Sequence, residues 1–257
     1  MSLDNQEKNT VLLIEPRFIE CTLNVILQTH ACLGNDWNYV FYCGSSSYEY
    51  WKKNAPHYIE LRPILYIDNL LPNEYSDIMK FRNIWNSLYG KYVLTIQLDT
   101  WIVANENVSI NDFITLDKSY IGGNMNYNWK ELIRYDINPK VRNFNGGLSL
   151  RKREDMIRII DTFPPKKTTK GTPNTNVISD FTRYAEDVYF TIGCYKLNLP
   201  VGDDETCSHF ALHTIYKYPF FGIHNAGSEL SIVLNEQFPD LIETNPYILC
   251  LPTKTKK

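Results

Sequence analysis

Tyr92-Val93-Leu94-Thr95-Ile96-Gln97-Leu98-Asp99 is an apolar run that closes on an acid and passes at once into Thr100-Trp101. A run of this length and hydrophobicity predicts a buried strand, and Asp99 marks the point where it meets solvent. Upstream, strands alternate with helical stretches. Val11 to Ile14 ends in Glu15-Pro16-Arg17 and is followed by a helical stretch from Phe18 to Leu33. A strand from Tyr39 to Cys43 leads through a Gly-Ser turn (Gly44 to Ser47) into a short helix, Tyr48 to Lys53. A third strand, Tyr58 to Leu61, precedes a predicted helix from Glu74 to Leu88. Such alternation specifies the α/β class: a mixed, mostly parallel central sheet with helices on both faces. Ligands of these sheets bind beyond the carboxyl ends of the strands, where Glu15, Arg17, Gly44 and Asp99 all stand.

The downstream half is less regular. A helical stretch from Ile110 to Leu116 precedes a short strand at Tyr120-Ile121 and a loop rich in Gly, Asn and aromatics that runs to about Asn128. Asn145-Gly146-Gly147 opens a strand, Leu148 to Leu150, followed by a helix from Arg153 to Thr162. The polar segment Pro164 to Asn176 has loop composition and reads equally as an acceptor-side lid or a plain connector. A helix from Ala185 to Leu197, strand-like Phe210 to Ile215 and Phe221 to His224, and a helix from Ser228 to Phe238 complete the chain.

Of the 257 residues 44% are hydrophobic, enough for a buried core, and the formal charge of −3 offers no basic field for nucleic acid. Residues 1–10 are polar and lack the apolar core of a signal peptide, and no run of about 18 apolar residues is present. The expectation is a cytoplasmic protein without an integral membrane segment. One domain is expected over residues 11–253, with a nucleotide-binding half (11–105), an acceptor half (106–253) and short tails at 1–10 and 254–257. The six cysteines form no C-x-x-C pair and no zinc spacing.

Four features carry candidate chemistry, and each has a plainer structural explanation. Asp99 is placed to hold a hard divalent cation against a diphosphate, or simply ends a strand and starts a turn. Asn145-Gly146-Gly147 permits close backbone approach to a ligand, or makes a hairpin turn. Glu186 and Asp187 open a helix, where a carboxylate serves as a general base or only complements the helix dipole. His224, after Phe221-Gly222-Ile223, is a metal or phosphate ligand or an ordinary core histidine.

Order and spacing together add what no single feature gives. The chain resembles glycosyltransferases of the GT-A kind, and more closely a glycosyltransferase-like family of large DNA viruses, bacteria and algae. The resemblance rests on Glu15-Pro16-Arg17, Gln97-Leu98-Asp99-Thr100, Asn145-Gly146-Gly147-Leu148-Ser149-Leu150-Arg151, Glu186-Asp187-Val188-Tyr189-Phe190 and Phe221-Gly222-Ile223-His224. It implies a GT-A-like, Rossmann-like fold and transfer of a sugar from a nucleotide-sugar donor, a UDP- or GDP-sugar. The acceptor would be a hydroxyl of a glycan, glycoprotein or small molecule. Asp99 and His224 would hold Mn²⁺ or Mg²⁺. Glu15, Arg17, Gly44, Gln97 and Thr100 would lie on the donor side, and Asn145, Gly146 and Gly147 on the acceptor side. Asp187, with Glu186 beside it, would supply the catalytic acid, acting as base in an inverting reaction. Gln97 departs from the pattern, since many relatives have an acid there. Two rivals remain: a nucleotidyltransferase acting on sugar phosphates, and an inactive carbohydrate-binding or assembly protein of the same fold.

Overall fold

The apolar runs become the inner strands of a single six-stranded sheet. The computed structural model describes residues 7–103, 106–124, 144–169, 180–227 and 230–248. In chain order its strands are β1 (Asn9–Glu15), β2 (Trp37–Gly44), β3 (Ile59–Ile64), β4 (Tyr92–Ile96), β5 (Thr100–Ile102), β6 (Tyr120–Asn124), β7 (Phe144–Lys152), β8 (Ala211–Leu212) and β9 (Gly222–His224). The large sheet has the order β3-β2-β1-β4-β7-β6. β3, β2, β1 and β4 run parallel, with Leu12 of β1 opposite Val40 on one side and Thr95 on the other. β7 runs antiparallel to both its neighbours. The fold is therefore mixed α/β with a mostly parallel centre.

The chain leaves β1 toward β2 on one side and later returns to β4 on the other. That reversal opens a crevice beyond the carboxyl ends of β1 and β4, the usual ligand position in such sheets. Every residue of β4 and all of β1 after Asn9 are buried, which accounts for their unbroken apolar character. A second sheet, β5-β9-β8, sits at the same end, and its register sets Thr100 against His224. His224 thereby arrives beside Asp99, whose carbonyl accepts a hydrogen bond from Asn225 N at 2.9 Å.

The helices are α1 (Thr22–Leu33), α2 (Tyr48–Asn54), α3 (Pro72–Met79), α4 (Arg82–Asn86), α5 (Ile110–Ile114), α6 (Arg153–Thr162), α7 (Glu186–Lys196) and α8 (Asp204–Phe210), followed by two short helices at 231–237 and 241–244. Three expectations need correction. The single helix expected from Glu74 to Leu88 is two, because Lys80 turns into the interior and Phe81 is extended (φ −82°, ψ 118°). Asn145-Gly146-Gly147 is no hairpin turn: it lies within β7. Phe210 ends α8 rather than opening a strand. The start of α8 was readable, since the Asp203 carboxylate accepts from Thr206 N at 2.8 Å in ordinary N-cap fashion. Among the described residues no helix is long and apolar enough to cross a membrane.

Candidate active site

A cavity of about 490 Å³ opens at the crevice. Its lining includes Glu15 and Arg17 at the end of β1 and just past it, Gln97 and Asp99 after β4, Asn145 to Gly147 in β7, Glu186 and Asp187 at the start of α7, and His224 at the end of β9. Gly44 and Thr100 do not line it. A Cβ at Gly44 would collide with the Pro16 carbonyl and lie 2.7 Å from Asp68 Oδ1, so its glycine lets the loops after β1 and β3 close over β2. Thr100 is fully buried. Its hydroxyl accepts from Gln97 N at 3.0 Å and donates to Gly147 O at 3.3 Å, which ties the end of β4 to β7.

Asp99 and His224 meet on one wall. His224 Nε2 stands 3.2 Å from Asp99 Oδ1 and 3.3 Å from Gln97 Oε1. Burial pushes the Asp99 carboxyl up, but the adjacent imidazole outweighs it and the net displacement is below the ordinary value. A carboxylate oxygen and an imidazole nitrogen at this separation fit neighbouring corners of an octahedron, whose edge is roughly 3.0 Å for ligand distances near 2.1 Å. Among the described residues no third His, Cys, Asp or Glu joins them. A cation held here would take its remaining ligands from substrate and water, as Mg²⁺-type sites commonly do. Among the described residues, buried His224 Nδ1 has no hydrogen-bond partner. An N–H placed there would be unsatisfied, at a cost of about 1–3 kcal/mol that a bound ligand must offset.

The opposite wall holds the acids. Glu186 is buried in a bidentate ion pair with Arg151, Nη1 to Oε2 at 2.5 Å and Nη2 to Oε1 at 3.1 Å. Arg151 is wholly buried and also donates from Nε to Ser149 Oγ (2.8 Å) and from Nη2 to the Gly146 carbonyl (3.2 Å). Among the described residues no cation pairs with Asp187 in this way. Burial first, and the Glu186 charge second, push its carboxyl up to about 7. Such a value suits a group that exchanges protons near neutrality. The glycine pair is shaped by these neighbours: a Cβ at Gly146 would collide with Glu186 Oε1, and one at Gly147 with the His224 ring.

At the mouth, Arg17 lies half-exposed and is gripped by Glu15 through Nε to Oε1 at 2.8 Å and Nη2 to Oε2 at 2.7 Å. This pairing keeps its guanidinium charged and oriented. Tyr75 and Ser76 of α3 and Tyr247 also line the cavity. They were not anticipated, because nothing local marks a tyrosine on an amphipathic helix as facing a cleft.

The expected lid is in part fixed. Lys166 N and Thr169 N donate to the carbonyls of Thr182 and Arg183, and Thr168 N donates to Asp77 Oδ1 at 2.7 Å. Lys80 Nζ, buried beneath, donates to Thr168 Oγ1 (2.7 Å), Lys166 O (3.2 Å) and Tyr184 O (2.9 Å). Residues 164–169 are thus fastened to the body, while 170–176 lie outside the described residues, as does the aromatic loop after Asn124.

One solved structure to which the chain shows a similarity is a mannosyltransferase, PcManGT from Pyrobaculum calidifontis, in complex with GDP-Man and Mn²⁺. The two chains are 11% identical with a TM-score of 0.46, and the match covers 77% of this chain and 55% of that one. No curated protein matches the sequence. Residues 65–226, more than half the chain and including β4, β7, α7 and β9, match the family described as protein of unknown function (DUF5672). The chain belongs to the DUF5672 family.

Proposed function

We propose that this protein is a metal-dependent glycosyltransferase of GT-A type, which passes a sugar from a UDP- or GDP-sugar to an acceptor hydroxyl. The observation that carries the reading is the pairing of Asp99 with His224, 3.2 Å apart, in a switch-point cavity that also holds Asp187. Asp99 and His224 would hold Mn²⁺ or Mg²⁺ together with the donor diphosphate. The bound ion would supply Lewis-acid stabilisation of the charge on the departing nucleotide. Arg17, fixed by Glu15 at the mouth, provides a permanent positive charge on the nucleotide side. Asp187 takes the proton from the acceptor hydroxyl as that oxygen attacks the anomeric carbon, in an inverting displacement. Its carboxyl near 7 is ionised often enough at neutral pH to act as base, yet basic enough to accept a proton.

The test is thermal stabilisation by nucleotides with and without Mn²⁺. A ligand bound only by the folded state raises the melting temperature once its concentration exceeds Kd. GDP, UDP and their sugar conjugates are expected to stabilise the protein in a Mn²⁺-dependent way. Stabilisation by nucleoside triphosphates together with sugar phosphates would favour the nucleotidyltransferase. No response to any nucleotide would overturn the proposal.

A further inference from the structure

We propose that Glu186 and Arg151 are a positioning pair for Asp187: they hold its carboxylate in the cavity and take no part in the chemistry themselves. The inference rests on the reading of Asp187 as the base, but its geometry stands apart from that reading.

Glu186 and Asp187 are neighbours at the first turn of α7, about 100° apart around the helix. One of the two faces inward and is fully occupied. Both carboxylate oxygens of Glu186 are engaged by Arg151, and four of the five guanidinium N–H donors are used: two on Glu186, one on Ser149 Oγ and one on the Gly146 carbonyl. Around the guanidinium stand the rings of Tyr120 (4.7 Å to the centroid), Phe190 (5.4 Å) and Trp85 (5.9 Å). A planar fork held in this way cannot turn, so the first residue of α7 is pinned to β7. Gly146 completes the device, because any side chain there would occupy the place of Glu186 Oε1.

A buried ion pair is a poor way to gain stability, since well-packed apolar residues usually do as well. Its placement one residue from a half-buried acid in a cavity gives it a use. The helix start that bears Asp187 is fixed to the strand that forms the facing wall. The charge of Glu186 also opposes ionisation of Asp187, while Arg151 on β7 acts in the other sense more weakly. The Tyr120 phenol on β6 is a further titratable group coupled to Asp187. Burial pushes it far above the range in which Asp187 titrates, so it stays neutral there.

The experiment is a titration of the Asp187 carboxyl by ¹³C NMR in the ligand-free protein, which needs neither donor nor acceptor. In the wild type the midpoint is expected near 7. In Glu186→Gln the amide keeps the shape and one acceptor for Arg151 but loses the charge, so the midpoint is expected to fall by at least one pH unit. Exposed Glu154→Gln, on α6, is the control and is expected to leave it unmoved. If Glu186→Gln fails to fold, the paired replacement Arg151→Met with Glu186→Leu keeps the packing, and the midpoint is expected to fall by a smaller amount. Once a transferase assay exists, Glu186→Gln is expected to lower kcat with donor KM near wild type and to carry the acidic limb of the rate profile to lower pH. An Asp187 midpoint unchanged by loss of Glu186 would overturn the positioning pair. If the midpoint moves but nucleotides do not bind, the pair stands and the transferase reading fails.

Discussion

The imidazole of His224 fills the space that a side chain at Gly147 would need, and the carboxylate of Glu186 does the same at Gly146. The two adjacent glycines of β7 thus serve opposite walls of one cavity. Gly147 clears the place beside Asp99, and Gly146 clears the place of the buried ion pair.

The two glycines should therefore fail in different ways. Gly147→Ala is expected to displace His224 and abolish Mn²⁺-dependent nucleotide stabilisation while lowering the melting temperature only modestly. Gly146→Ala drives a methyl against Glu186 and Arg151 and is expected to cost stability of about 3–5 kcal/mol, the range for breaking a buried ion pair. Denaturant melts with and without Mn²⁺ and GDP separate the two. Identical behaviour of both variants would show that the walls are not independent.

Asp99→Asn keeps the shape of the β4 end and removes the charge that faces His224. Nucleotide affinity in the presence of Mn²⁺ is expected to fall by at least roughly 10–100-fold, the loss found when even a supporting group of a metal site is removed. The melting temperature of the free protein should stay near wild type, because the asparagine side chain still offers an oxygen to His224 Nε2. Calorimetric titration with GDP checks both arms, and an unchanged metal-dependent affinity would remove Asp99 from the metal site.

Much of this architecture is legible in the sequence. β1, β2 and β4 announce themselves because each is a largely apolar run that closes on or just before a polar residue or glycine, and the alternation of the first four strands with helices implies the parallel order. The direction of β7 was not legible, since periodicity reports which face is buried and not which way a strand runs. Asp99 and His224 could be singled out because an acid or imidazole at the end of an apolar segment is conspicuous, and Asp187 because two adjacent acids open a helix. What Gly146 and Gly147 make room for was hidden, since Glu186 and His224 approach them only through tertiary packing. The role of Arg151 was hidden too, because nothing local shows that a strand arginine has an acidic partner on a later helix. Lys80 misled for the same reason: a lysine within an amphipathic pattern reads as solvent-facing, yet its ammonium lies buried among carbonyls.

Lys80 yields its own prediction. Its ammonium fastens both arms of the 164–184 segment, through Lys166 O and Thr168 Oγ1 on one side and Tyr184 O on the other. Lys80→Met removes the ammonium that these acceptors share and is expected to destabilise the protein by ~3 kcal/mol, since leaving buried polar groups unsatisfied costs about 1–3 kcal/mol each. Hydrogen exchange gives the local signature. The amides of Lys166, Thr168 and Thr169 should be protected in the free wild type and lose protection in the variant. Fast exchange at those amides in the wild type would return 164–169 to the lid first expected.

Asp187 makes stability depend on pH in a direction opposite to that of a salt-bridged carboxylate. Its folded carboxyl is raised to about 7 from an ordinary 3.8, chiefly by burial and then by the Glu186 charge. Below 3.8 both folded and unfolded chains hold the proton, and the group contributes nothing to the pH dependence. Between 3.8 and about 7 the unfolded chain releases the proton and the folded chain keeps it, so stability falls as pH rises. Above that window both forms are ionised and the full penalty remains. Asp187→Asn removes the ionisation with little change of shape. The variant is therefore expected to melt above the wild type at pH 8, with the gap narrowing steadily toward pH 4. Melting curves across that range, in buffers of constant ionic strength, measure the gap directly. A constant difference between the two proteins would mean that Asp187 titrates at its ordinary value, and with it would go the argument that this carboxyl is tuned to serve as a base near neutral pH.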